Sequence, residues 1–161
     1  MAKVIPGRMS ADLEGDFVVF LIGMRFNRPW HVRKAWLAFT AMPKMLRYLY
    51  QHPELGLLGH TLAVGANGPV VIQYWRSVEQ LEEFARSTAA PHHPAWKAWN
   101  KVVGYRKPDI GIWHESYQVK AGAYECLYGN MPRFGLAAAG EHVPAARKGD
   151  SAAQRRGAVP A

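Results

Sequence analysis

The chain has 161 residues, 49% of them apolar, with six Trp, seven Tyr and six Phe, enough for one domain with a substantial core. Its longest apolar run, Phe17–Met24, is eight residues, against the roughly 20 a spanning helix needs, so a membrane span is not expected. The formal charge of +8 is concentrated: the tail from Glu141 holds four bases and two acids, and six bases (Arg25, Arg28, Arg33, Lys34, Lys44, Arg47) fall in the acid-free stretch between Asp16 and Glu54, a local patch that suits an anionic ligand or a solvated helix face better than a nucleic acid.

Asp16–Asn27 (DFVVFLIGMRFN) reads as a strand that is apolar on both faces. Arg28-Pro29-Trp30 breaks it. From His31 onward Val32, Ala35, Trp36, Phe39, Met42, Leu46, Leu49 and Tyr50 recur at helical spacing, and Pro43 inside that pattern predicts a kink or two abutting helices. Leu57–Val64 and Val70–Trp75 are strand-like and flank Gly65-Ala66-Asn67-Gly68-Pro69, a hairpin signal slightly longer than the minimum. Ser77 with Gln80 forms the pattern of a capping box and opens a helix from Val78 to about Arg86. Pro94 suits the first turn of a further helix with an apolar stripe of Ala95, Trp96, Trp99, Val102 and Val103. Ile110–Tyr117 alternates as a strand, and Tyr124–Tyr128 is a candidate for another.

This β-α-β-β-α-β order predicts a ferredoxin-like α+β fold over residues 14–137, an antiparallel sheet with its helices on one face. Residues 1–13 are expected to be a flexible N-terminus. Residues 138–161, rich in Ala, Gly, Arg and Pro without periodicity, are expected to be a disordered tail. The uncovered sheet face needs a partner, and self-association into a homodimer is the economical answer. No secretory signal pattern is visible, and the single Cys126 forms no internal disulfide; a cytoplasmic location is the expectation. Cys126 carries no pattern of a nucleophile and reads as a structural thiol.

Phosphate-cradling loops, GxSxG, HExxH and cysteine clusters are absent from the sequence, so the candidate chemistry rests on histidine and arginine. Extending the stripe of the Trp-rich helix backward lands on His92, while His93 falls with Lys97 and Asn100 on the more polar side. On spacing alone, an inward His92 is more often a hydrogen-bonded core or capping histidine than a ligand. His114 shares a strand face with Ile110 and Ile112, where an imidazole needs a partner or a purpose and can act as acid, base or ligand. Arg25 shares a face with Phe17, Val19, Leu21 and Gly23 and calls for a counter-charge: a substrate or cofactor carboxylate, or Glu115 if that residue reaches the same face.

The stretches GMRFNRPWHVRKAW, VIQYWRSVEQLEEFAR, HHPAWKAWNKVVG, GIWHESYQV and AYECLYGNMPRFGL resemble a family of dimeric α+β-barrel proteins grouped with a fungal polyketide-pathway monooxygenase, near the antibiotic-biosynthesis monooxygenases. The resemblance implies oxidoreductase chemistry on a small, mostly apolar substrate, which in that group often proceeds without metal or flavin. A more distant similarity is to the haem-containing aldoxime dehydratases, whose axial His precedes a helix and whose distal His lies on the next strand. It implies haem ligated by His92, with His93 the rival ligand, Trp96 and Trp99 against the porphyrin, His114 as distal acid/base and Arg25 on a propionate. A C–N lyase of that type and a non-catalytic haem- or ligand-binding module are the alternative readings.

Overall fold

The computed structural model describes residues 2–28, 32–88, 92–102, 104 and 108–157, with the side chains at 32–39, 92, 95 and 102 outside that description. Along the chain run β1 (Ile5–Asp12), β2 (Phe17–Phe26), α1 (Val32–Gln51), β3 (Leu57–Gly65), β4 (Gly68–Trp75), α2 (Val78–Arg86), α3 (His92–Val102), β5 (Ile110–Val119), β6 (Tyr128–Met131), α4 (Leu136–Ala139), β7 (Glu141–Pro144) and α5 (Ala152–Arg155). The main sheet is antiparallel in the order β3-β4-β2-β5. Together with α1 and the α2–α3 pair, this is the ferredoxin-like arrangement.

The local signals act much as elementary chemistry dictates, with informative departures. The hairpin closes more tightly than expected: Gly65 pairs with Gly68, leaving only Ala66-Asn67 in the loop. Gly68 makes this possible, because it takes a φ of +128° and a Cβ there would collide with the Met24 carbonyl. Helix α1 runs through Pro43 as a single element rather than as two abutting helices. At α2 the Ser77 hydroxyl accepts from the Gln80 amide at 3.2 Å, one half of the expected capping box. The other half is diverted, since Gln80 Nε2 donates to the Glu54 carbonyl at 3.0 Å. Helix α3 starts at His92, so Pro94 occupies its third position, still within the turn where no intrahelical donor is lost.

Both expectations for the chain ends are corrected. Residues 5–12, expected to be flexible, form β1, and within the expected tail β7 pairs with it antiparallel, from Met9↔Pro144 to Asp12↔Glu141. Strand β6 pairs on β1's other side, giving a second sheet in the order β6-β1-β7. Ala11 of β1, Leu13 just beyond it and Leu136 and Ala137 of α4 pack against Phe17, Val19 and Tyr74 of the main sheet. Arg155 of α5 is buried (7% exposed); it reaches Glu125 at 2.7 Å and donates to the Gly149 and Asp150 carbonyls. Four-residue strands carry too little periodicity to be read locally, and their partners lie more than a hundred residues away in the chain. The Cys126 thiol accepts from the Ala11 amide at 3.3 Å within this layer.

On the helix side, Val18, Leu49, Leu57, Trp75 and Phe84 form the principal core. Trp75 is fully buried, and its indole donates to Gln73 Oε1 at 2.8 Å. Burial of each such side chain contributes about 1.5–3 kcal/mol. A smaller cluster of Met24, Trp99 and Ile110 closes the opposite end of the same layer.

Candidate active site

Between these two clusters the layer is hollow. A cavity of about 950 Å³ lies over the helix-facing side of the main sheet, within the range of pockets that take drug-sized ligands. Its floor follows from strand register. Phe20, Ile22 and Met24 of β2 alternate onto one face, where Ile22 pairs with Val71 on one side and His114 on the other, and Val71 pairs with Leu62. The next row runs His60, Gln73, Phe20, Ser116. The roof comes from α1 (Ala41, Met42, Met45, Leu46), α2 (Leu81, Ala85) and α3 (Trp96, Trp99).

Polar groups reach the cavity at its margins. His114, on the edge strand β5, faces it as alternation predicts, with its ring 5.7 Å from that of Phe20. It is an exposed side chain, not a core histidine. Ser116 lines the cavity beside it. His93 is a lining residue from the first turn of α3; the side chain of His92 lies outside the described residues. Trp99 is buried (5% exposed) and Trp96 partly exposed, both facing the cavity.

Arg25 is not brought to this site. Its register partner is Gly111, and it shares the outer face of the sheet with Trp113 and Glu115, opposite His114. It is exposed there, so the expected carboxylate anchor does not enter the cavity. The reason is the doubly apolar strand: alternation grouped Arg25 with Phe17 and Leu21 but gave no sign of which face the helices cover. Gly23 on that outer face makes room for Trp113, whose indole would lie 2.7 Å from an added Cβ. Glu115 accepts from the Tyr117 hydroxyl at 2.6 Å.

A second polar pair had no sequence signal. Tyr50, near the end of α1, and His60, on the edge strand β3, both line the cavity, with the Tyr50 hydroxyl 2.8 Å from His60 Nδ1. Burial holds the His60 imidazole below its ordinary value of 6.5 and pushes the Tyr50 phenol above 10.0, with the bond to His60 partly opposing the rise. At neutral pH both partners are uncharged. The two residues are only ten apart in the chain, yet helix and strand must fold together before they meet. Among the described lining residues there is no Lys or Arg, and Glu82 is the one acid. No group of three or more His, Cys, Asp or Glu able to hold a metal ion occurs among the described residues.

Residues 17–136 match the family described as Monooxygenase af470-like. The chain belongs to this family. It is 29% identical over 152 residues to Monooxygenase af470 of Aspergillus fumigatus, an alignment covering 81% of this chain and 53% of that protein. The chain thus spans about half the length of this curated relative. Among solved structures, aldoxime dehydratase superposes with a TM-score of 0.63 at 18% identity, over 84% of this chain and 43% of that one. SnoaB, a cofactor-independent oxygenase from Streptomyces nogalater, gives a TM-score of 0.42 at 18% identity, over 63% of this chain and 91% of that one. The likeness to aldoxime dehydratase bears out the ferredoxin-like α+β fold. No described helix is long and apolar enough to cross a membrane.

Proposed function

We propose that the chain is a small-molecule oxidoreductase of monooxygenase type, acting in this cavity on a mostly apolar molecule. The observation that carries the reading is a 950 Å³ apolar chamber with imidazoles at its margins, in a chain of the af470-like family. His114 is positioned on the cavity side of β5 to give or take a proton from the bound group, which typically contributes about 10²–10⁴-fold to a rate.

Haem is the cofactor that the resemblance implies, and the residues meet its main demands. A cavity-facing imidazole stands at the start of α3 in His93, with His92 the neighbouring candidate, and Trp96 and Trp99 offer an apolar wall for the ring. No Lys or Arg is among the described lining residues to pair with the propionates. Haem bound there would supply oxygen and one-electron chemistry; the protein's own part is to exclude water, orient the substrate and move a proton at His114. Titration of the apo-protein with ferric haem is expected to give a sharp Soret band of defined stoichiometry. Alanine at the ligating residue, His93 or His92, removes that band. His114→Ala keeps it and lowers turnover. A wild-type spectrum no different from free haem would overturn the haem assignment and leave cofactor-free oxygenation at the same cavity.

We also propose that a second copy packs on the outer sheet face. The second sheet covers Phe17, Val19 and Tyr74, while Trp113 and Tyr117 remain 38% and 53% exposed. Light scattering should then report about twice 18.0 kDa; a folded monomer at micromolar concentration would contradict the pairing.

A further inference from the structure

The register of the main sheet places His60 at one edge and His114 and Ser116 at the other, with Phe20, Ile22 and Val71 between them. His60 on β3 and Ser116 on β5 end one row whose interior is Gln73 and Phe20. Gln73 is turned to the Trp75 indole rather than to the cavity. In the adjacent row Val71 and Ile22 separate Leu62 from His114. Three strand intervals lie between β3 and β5, a span of about 14 Å at roughly 4.8 Å per interval. Over that span the floor offers a ligand only hydrocarbon.

At the β3 edge the Tyr50 hydroxyl is held by His60 Nδ1 at 2.8 Å. A phenol has one donor and two acceptor positions, so this bond leaves hydrogen-bonding capacity on the Tyr50 oxygen for a ligand. At the β5 edge His114 and Ser116 stand two residues apart on the cavity face. Both edges carry hydrogen-bond donors and acceptors, and no Lys or Arg is among the described residues that line the cavity. This pattern disfavours a carboxylate or phosphate and favours hydroxyl or carbonyl groups at either end of an apolar body.

We infer that the cavity recognises an elongated, uncharged molecule with a hydroxyl or carbonyl at each end, held by the Tyr50–His60 pair at one end and by His114 with Ser116 at the other. This inference rests on the cavity being the substrate site. It assigns Tyr50 and His60 as positioning residues at the end of the molecule remote from His114.

The test uses trans-stilbene, its para-hydroxy derivative and its para,para-dihydroxy derivative as probes, with calorimetric titration of the full chain at neutral pH. Each hydroxyl is expected to tighten binding about two- to tenfold, the usual net worth of one hydrogen bond. In Tyr50→Phe and in His114→Phe the dihydroxy probe should bind only as well as the monohydroxy probe binds wild type, while stilbene itself binds each variant as before. Three probes of equal affinity, or a dihydroxy preference that survives both substitutions, would overturn the inference and leave the cavity reading in place. No binding by any of the three would overturn both. The wild-type series needs no variant to fold, so the question is answered even if one substitution perturbs the structure.

Discussion

Two stretches of one sheet face, a few residues apart on the same strands, have opposite characters. Where β2 begins, Val18 and its neighbour Trp75 are sealed beneath Leu49 and Phe84, and on the other side Phe17 is covered by the second sheet. Four residues on, Ile22 and its neighbours Val71 and His114 face open space. The strand's composition hardly changes between the two. What changes is the packing above it: α1 and α2 close on the sheet at Leu49 and Phe84, whereas α3 makes its contact farther along, where Trp99 meets Met24 and Ile110. Stability therefore concentrates at the closed stretch and recognition at the hollow one, so substitutions in the two should separate cleanly.

The largest effect is expected at the closed stretch. Trp75→Ala removes a fully buried indole and leaves Gln73 without its donor. It should cost about 3–5 kcal/mol, lowering Tm by on the order of 10 °C for a chain of this size. A loss below about 1 kcal/mol in a denaturant melt would show that the core has been misplaced. A smaller loss is expected from Arg155→Ala, which strands the partly buried Glu125 and two backbone carbonyls; about 2–3 kcal/mol is reasonable for breaking such a pair. Were that variant as stable as wild type, the docking of residues 141–157 would contribute nothing to the fold.

The same contrast explains what the sequence could and could not disclose. The β-α-β-β-α-β order was legible because each element carries its own period or turn: alternation in Ile110–Tyr117, the glycine-bounded hairpin, the Ser77 cap. His114 was legible for the same reason, since alternation alone puts it beside Ile112. The side on which Arg25 lies was not legible because its strand is apolar on both faces, and only the packed structure distinguishes cavity from exterior. The Tyr50–His60 pair and the second sheet stayed hidden because both depend on contacts that arise only after separate elements pack together. His92 against His93 is likewise undecided by spacing, because Pro94 sits inside the turn from which the stripe must be extrapolated.

The hollow over Ile22 is the proposed binding place of the small molecule. Ile22→Trp fills that space from the middle of its floor, with the new ring entering open volume, so Tm should move by less than the few degrees that about 1 kcal/mol represents. Calorimetric titration of this variant with para-hydroxystilbene is the most direct measurement. The binding heat expected of wild type should disappear in Ile22→Trp while the fold persists; wild-type affinity in the variant would place the ligand elsewhere and contradict the assignment of this cavity.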